Sequence, residues 1–251
     1  MNRETLASYS IQYDGNWDRI RLAVMNEEKP LLTEIRERYI TILDEAYPDC
    51  LRQLRNPPWV LFYQGNIHLL REPMITIVGS RDLSEYGEEL TVTAADELKK
   101  RFVLVSGLAK GADSLVHKCA LEDGHSVGVI GSGLATRYPK ENSGLYEAMA
   151  RRDLIISEWP RSCGVRKENF PWRNRILAAL GQALIVTAAK TRSGTMHTVN
   201  EALQLGRDIY TFPYPFECAE GRGCDQLIND GANILFTRGQ LSEIRPKLTI
   251  C

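Results

Sequence analysis

The chain has 251 residues, 43% of them apolar and 25% charged, with a formal net charge of −1. That length supports one large core, so one main α/β domain with a small addition is expected rather than two equal halves. The near-neutral charge excludes a uniformly basic nucleic-acid binder and requires any polyanion site to be local; no stretch approaches the roughly 20 apolar residues that span a bilayer.

Residues 1 to 40 mix apolar and charged positions, with Ile20, Leu22, Ala23, Val24, Leu31, Leu32 and Ile35 loosely at helical spacing. This predicts a short helical N-terminal extension. The opening Met1-Asn2-Arg3-Glu4-Thr5 lacks the basic and apolar regions of a secretory signal, so a cytoplasmic location is expected. Pro57-Pro58 breaks the chain before Trp59-Val60-Leu61-Phe62-Tyr63, whose apolar and aromatic content suits a strand.

From residue 74 the rhythm is regular. Ile75-Thr76-Ile77-Val78 leads into Gly79-Ser80-Arg81, and Asp82 with Glu85 is a candidate capping box for a helix running to about Lys100, with Leu90, Ala94, Ala95 and Leu98 on one face. Phe102-Val103-Leu104-Val105 leads into Ser106-Gly107-Leu108-Ala109-Lys110-Gly111, followed by a stripe of Leu115, Val116, Cys119 and Ala120. Further strands are predicted at 127–130, 154–156, 184–186, 209–212 and 234–236. Nearly continuous apolar strands alternating with helices require a parallel sheet covered on both faces. The expected fold is α/β: an extended Rossmann-like domain over residues 41–251, with a mostly parallel sheet and helices on both faces.

The ends of these strands carry the chemistry. In an open parallel sheet the carboxyl ends face the ligand crevice, and small residues there let backbone N–H groups and helix N-termini approach an anion. Gly79-Ser80-Arg81 offers close backbone approach, a hydroxyl and a planar guanidinium fork. Gly107 and Gly111 bracket Lys110 in a phosphate-cradle pattern, although no Ser or Thr follows the lysine to close a Walker loop. Gly131-Ser132-Gly133 lacks the third glycine of a dinucleotide fingerprint, because position 136 is Thr. Lys190-Thr191-Arg192-Ser193-Gly194-Thr195 precedes a stripe of Met196, Val199, Ala202 and Leu203, which places Ser193-Gly194-Thr195 at a helix N-terminus. Asp113 and His117, four apart, fit a cap and a hydrogen-bonded histidine better than a catalytic pair.

Phe170-Pro171-Trp172-Arg173-Asn174-Arg175 is the densest cluster. Aromatic faces beside arginines suit single-stranded nucleic acid; read position by position, Phe170 and Trp172 fit core anchors and the two arginines fit ligand contacts. The six cysteines show no C-x-x-C spacing and the four histidines no H-E-x-x-H pattern, so reduced thiols, no metal and no cofactor are expected.

Taken in order, Asp44-Glu45-Ala46-Tyr47-Pro48, Pro57-Pro58-Trp59-Val60-Leu61-Phe62, Val78-Gly79-Ser80-Arg81, Ser106-Gly107-Leu108-Ala109-Lys110-Gly111, Tyr138-Pro139-Lys140-Glu141-Asn142, Ser157-Glu158-Trp159-Pro160, the Phe170 to Arg175 cluster, Ser193-Gly194-Thr195 and Leu227-Ile228-Asn229-Asp230-Gly231-Ala232 resemble the DprA/Smf family of DNA-processing proteins. The resemblance implies an extended Rossmann fold that binds single-stranded DNA without cutting it, forms a homodimer, and serves DNA processing, recombination or transformation by protecting the strand and helping to load a RecA-type recombinase. By motif, it assigns nucleic-acid contact to Gly79, Ser80, Arg81, Ser106, Gly107, Lys110, Gly111, Arg173, Asn174, Arg175, Lys190, Ser193, Gly194 and Thr195, and it assigns no catalytic residue. Lys110 stands where the family often has arginine, keeping the charge without the fork. A second reading is a nucleotide sensor or nucleoside-monophosphate hydrolase similar to lysine-decarboxylase-like proteins, whose signature is Gly-Gly-x-Gly-Thr-x-x-Glu. Here Thr198 holds the glutamate position and the nearest acid is Glu201, which leaves no general base at the expected place. Basic residues spread over several strand ends fit an extended phosphate chain better than a single phosphate.

Overall fold

The structure, a computed structural model, describes residues 1–31 and 35–245; Leu32 and Cys251 lie outside the described residues. The helices α1 (Arg3–Gln12) and α2 (Trp17–Met25) each start on an asparagine, Asn2 and Asn16, whose side chain accepts a backbone N–H of the first turn. Of the apolar positions in α2, Ile20 and Ala23 are buried while Leu22 is exposed. The strand β1 (Arg38–Thr41) follows, then the short α3 (Asp49–Arg52) and β2 (Val60–Gly65). Residues 38–40, read from the sequence as the end of the helical extension, are extended instead, because β1 pairs antiparallel with β2 along the register Tyr39 to Phe62 and Ile40 to Leu61.

The regular part begins at β3 (Met74–Val78) and continues through α4 (Glu85–Leu98), β4 (Val103–Ser106), α5 (Ala112–Asp123), β5 (Ser126–Ile130), α6 (Ser143–Arg152), β6 (Leu154–Ser157), α7 (Asn169–Leu180), β7 (Ala183–Val186), α8 (Gly194–Gln204), β8 (Asp208–Thr211), α9 (Arg222–Asn229), β9 (Asn233–Ile234) and α10 (Arg238–Glu243). Every predicted strand is present, the last of them reduced to two residues. The cap of α4 is not Asp82: Ser84 holds that position, its side chain accepting the Gly87 N–H at 3.2 Å.

Nine strands form one sheet in the order β1-β2-β6-β5-β4-β3-β7-β8-β9. The seven from β6 to β9 are parallel, and β1 and β2 add an antiparallel edge. Alternation of side chains along each strand sorts the core onto two faces. Val78, Val105, Val129 and Val186 pack with α7, α8 and α9. Ile75, Ile77, Leu104 and Ile185 pack with α4, α5 and α10 on the other face. Each such side chain contributes about 1.5–3 kcal/mol on full burial, so the register is strongly specified. Among the described residues no helix is long and apolar enough to cross a membrane.

The chain builds β3, β4, β5 and β6 outward in one direction, then returns through α7 to lay β7 on the other side of β3. That reversal is the topological switch point, where open α/β sheets bind ligands at their carboxyl edge.

Candidate functional site

At that edge the ends of β3, β4 and β5, the first turn of α7 and the segment leading to α6 enclose a pocket of about 220 Å³. Leu108, Ile130 and Tyr146 supply apolar lining, and Arg81, Lys110 and Arg173 supply three cations. Tyr138 and Phe170 stand beside each other with ring centroids 5.8 Å apart, and the Arg81 guanidinium lies 5.7 Å from the Phe170 centroid.

Three glycines allow these strand ends to converge. A Cβ on Gly79 would lie 2.6 Å from both Ala112 Cβ and Thr187 Oγ1, and one on Gly107 would meet Asp113 and lie 2.8 Å from Arg173 Nη1. Gly111 has φ +72° and abuts the Ser80 carbonyl, which also accepts the Ala112 N–H at 3.0 Å. Gly111→Ala combines a left-handed backbone with a steric overlap. It is expected to lower stability by about 2 kcal/mol or more, read as an earlier urea midpoint.

Lys110 and Arg81 are exposed, as a ligand contact requires. Lys110 Nζ is paired with Glu141 Oε1 at 2.6 Å, and this hydrogen bond holds the Glu141 carboxyl below its ordinary pKa. An incoming phosphate must displace that carboxylate. Glu141→Gln is therefore expected to raise anion affinity about two- to five-fold, the scale of an exposed ion pair, measured by titration at low salt. Acidification through the depressed Glu141 pKa removes the same competitor and acts in the same direction.

Arg173 is almost wholly buried. Its Nη1 donates to the Val129 carbonyl and its Nε to Asn174 Oδ1 at 3.2 Å. Burial pushes its guanidinium below the ordinary arginine pKa, an effect opposed by the Asp113 carboxylate. Asp113 in turn accepts the Ala109 N–H at 3.2 Å and sits 3.2 Å from Ser106 Oγ, which also reaches the Ile77 carbonyl at 2.7 Å. Ser106 is thus inside the protein, ordering the loop that carries Lys110. His117 is buried between Ser126 Oγ at 2.9 Å and the Gly107 carbonyl at 2.6 Å, a hydrogen-bonded core histidine as its spacing suggests.

Arg175 does not reach the pocket. It pairs with Glu158 at 2.7 Å with both side chains buried, donates to the carbonyls of Asn56 and Trp172, and lies 4.2 Å from the Trp172 centroid. Trp172 Nε1 donates to the other Glu158 oxygen at 3.0 Å. The burial expected within this cluster is inverted: Arg173, Asn174 and Arg175 are buried, whereas Phe170 and Trp172 are partly exposed. Seated over β3, β4 and β5, α7 turns its second half into the core and holds its polar middle with internal acceptors.

The N-terminus of α8 joins the same edge. Thr195 Oγ1 donates to the Gly79 carbonyl at 3.0 Å and Asn174 Nδ2 to the Gly194 carbonyl at 3.4 Å. Ser193 Oγ is buried without a hydrogen-bond partner, and space beside Gly194 is open. Ser80 Oγ donates to the Asp82 carbonyl at 2.7 Å. Lys190, exposed on the loop after β7, lies against the start of α9 and does not line the pocket. Sequence reasoning missed Glu141 and Asp113 as parts of the site, because a search for cations passes over the acids that orient them.

A mostly parallel sheet with helices on both faces, whose carboxyl edge gathers close-packed glycines, an open helix N-terminus and several cations, defines a Rossmann-like protein. The chain belongs to the DNA recombination-mediator protein A family, whose sequence profile matches residues 38–245. It is 39% identical over 201 residues to DNA processing protein DprA of Streptococcus pneumoniae, covering 80% of this chain and 71% of that one. It is 32% identical over 247 residues to DprA of Bacillus subtilis, covering 93% and 83%. The solved structure of the S. pneumoniae protein superposes with a TM-score of 0.82 at 30% identity over 98% of this chain and 94% of that one. DNA processing protein A of Helicobacter pylori, studied for its single-stranded DNA binding mode, gives 0.75 at 28% identity over 83% and 95%.

Proposed function

We propose that the protein binds single-stranded DNA without cutting it, with the strand's phosphates at Arg81, Lys110 and the α8 N-terminus and its bases against Phe170 or Tyr138. The observation that carries this reading is the distribution of the site. Cations follow several strand ends around an aromatic pocket and the α8 N-terminus adjoins them, more than one phosphate uses and the pairing that suits single strands. The H. pylori relative, named for single-stranded DNA binding, supports it. Arg173 lines the pocket from within, and Arg175 acts through the position of α7. In the same proposal the protein works in the cytoplasm as a homodimer, shields strands during DNA processing, recombination or transformation, and passes them to a RecA-type recombinase. The outer edge of the two-residue β9, where Ile234 is exposed, suits self-association.

An electrophoretic shift comparing single strands, duplex and mononucleotide competitors tests the reading. Single strands should bind in preference to duplex, with a log-log salt slope of about −0.7 per phosphate neutralised, and an affinity indifferent to salt would refute it. The hydrolase reading has less support: Glu201 lies seven residues along α8 from Gly194, roughly 10 Å from the helix N-terminus. Release of free base from nucleoside monophosphates, lost in Glu201→Ala, would restore it.

A further inference from the structure

Beyond the pocket, the carboxyl ends of β7 and β8 carry a second group of side chains that the site above leaves unused. Phe216 is 95% exposed, the most exposed of the large apolar side chains among the described residues. It sits at the tip of a loop pinned at both ends. Tyr214 Oη donates to the Thr187 carbonyl at 2.6 Å and the Tyr214 N–H to Asp225 Oδ1 at 3.2 Å. Tyr86 packs edge-on against Tyr214 with centroids 5.2 Å apart and donates to the Pro213 carbonyl at 3.1 Å, while Glu220 accepts the Ser84 N–H at 3.1 Å. A single exposed apolar side chain needs no explanation in itself; the neighbours of this one distinguish it.

The Gly223 N–H donates to the Ala189 carbonyl at 2.7 Å, and a Cβ on Gly223 would lie 2.9 Å from the Lys190 carbonyl. That contact sets Arg222, at the start of α9, against the loop carrying Lys190 and Arg192. All three cations are exposed and, among the described residues, none makes an ion pair. Glu217 is the acid beside Phe216 at the tip. Glu220 and Asp225 of the same segment are engaged by the backbone N–H groups of Ser84 and Tyr214, so an aromatic face held out on a fixed loop stands with unpaired cations on the adjoining segments, the pairing on which single strands stack. The patch also shares an edge with the pocket: the Thr187 N–H donates to the Val78 carbonyl at 3.0 Å, joining β7 to β3, and the sheet order puts β8 three strand spacings from β4, about 14 Å.

We propose that Phe216, with Lys190, Arg192 and Arg222, forms a second stacking platform for the same nucleic-acid strand, continuing its path from the pocket across β7 and β8. This rests on the pocket taking single-stranded DNA. The test titrates the full chain with oligothymidines of about 5 and about 20 nucleotides, short and long against the strand lengths such grooves track. Phe216→Ala should weaken the long oligonucleotide about ten-fold and leave the short one unchanged; Phe216→Trp should keep the long affinity, with its added fluorescence quenched by the long oligonucleotide alone. Arg81→Ala should weaken both lengths, separating the pocket from the platform. Unchanged long-strand affinity in Phe216→Ala, equal loss on both lengths, or an oligomeric state altered by Phe216→Ala in sedimentation would overturn the proposal. A parent that binds neither length overturns the pocket reading, and the platform with it.

Discussion

Replacing both Arg81 and Lys110 with alanine is expected to weaken single-stranded DNA binding on the order of a hundred-fold or more, since each removes a charge-assisted contact of about 1.5–3 kcal/mol. Anisotropy titrations across a salt series supply the sharper measurement. Two lost phosphate contacts should make the log-log slope shallower by about 1.4, a change that misfolding alone does not produce. The substitutions spare the fold: Arg81 is exposed, and the Lys110–Glu141 pair, 53% and 62% exposed, contributes little. A double variant that melts and binds like the parent would move the site elsewhere.

The second large effect concerns stability. Glu158→Ala strands the buried Arg175 guanidinium without its counterion and removes the acceptor of Trp172 Nε1. Breaking a buried pair from one side costs about 3–5 kcal/mol, a large share of the roughly 5–15 kcal/mol available to a protein. Thermal unfolding should shift down on the order of 10 °C. Glu158→Gln, which keeps one acceptor oxygen but turns an amide NH2 toward the other donor, should lose less than Glu158→Ala. Because Arg175 also donates to the Asn56 carbonyl, the same cluster ties α7 to the segment before β2. An unchanged melting temperature would mean that Arg175 turns outward, where it would compete for phosphate instead of holding the helix.

The parallel sheet was legible because its strands are apolar on both faces, and the site because small residues and cations follow those strands. What escaped depends on partners distant in sequence. Arg38-Tyr39-Ile40-Thr41 carries too few residues to show a period of two, and only β2 makes it a strand. Ser84 and Asp82 are both plausible caps; Ser84 takes the place where Glu220, 136 residues away, accepts its N–H. Arg173 and Arg175 looked like surface cations because the groups that let them be buried, the Val129 and Asn56 carbonyls and the Glu158 carboxylate, come from three other segments. Lys190 belongs with the other cations by motif, yet the fold sets it beside α9.

The cations of this edge sit at two depths, Arg81 and Lys110 in solvent and Arg173 among internal acceptors. Charges in water act at range and govern how often a strand is captured and how strongly ionic strength slows that encounter. A guanidinium held by a carbonyl and an amide acts only at contact, after water has left. Its contribution falls on how long a captured strand stays. With a single strand in the pocket as proposed, capture and dwell time would fall to different residues, so one could change while the other is kept.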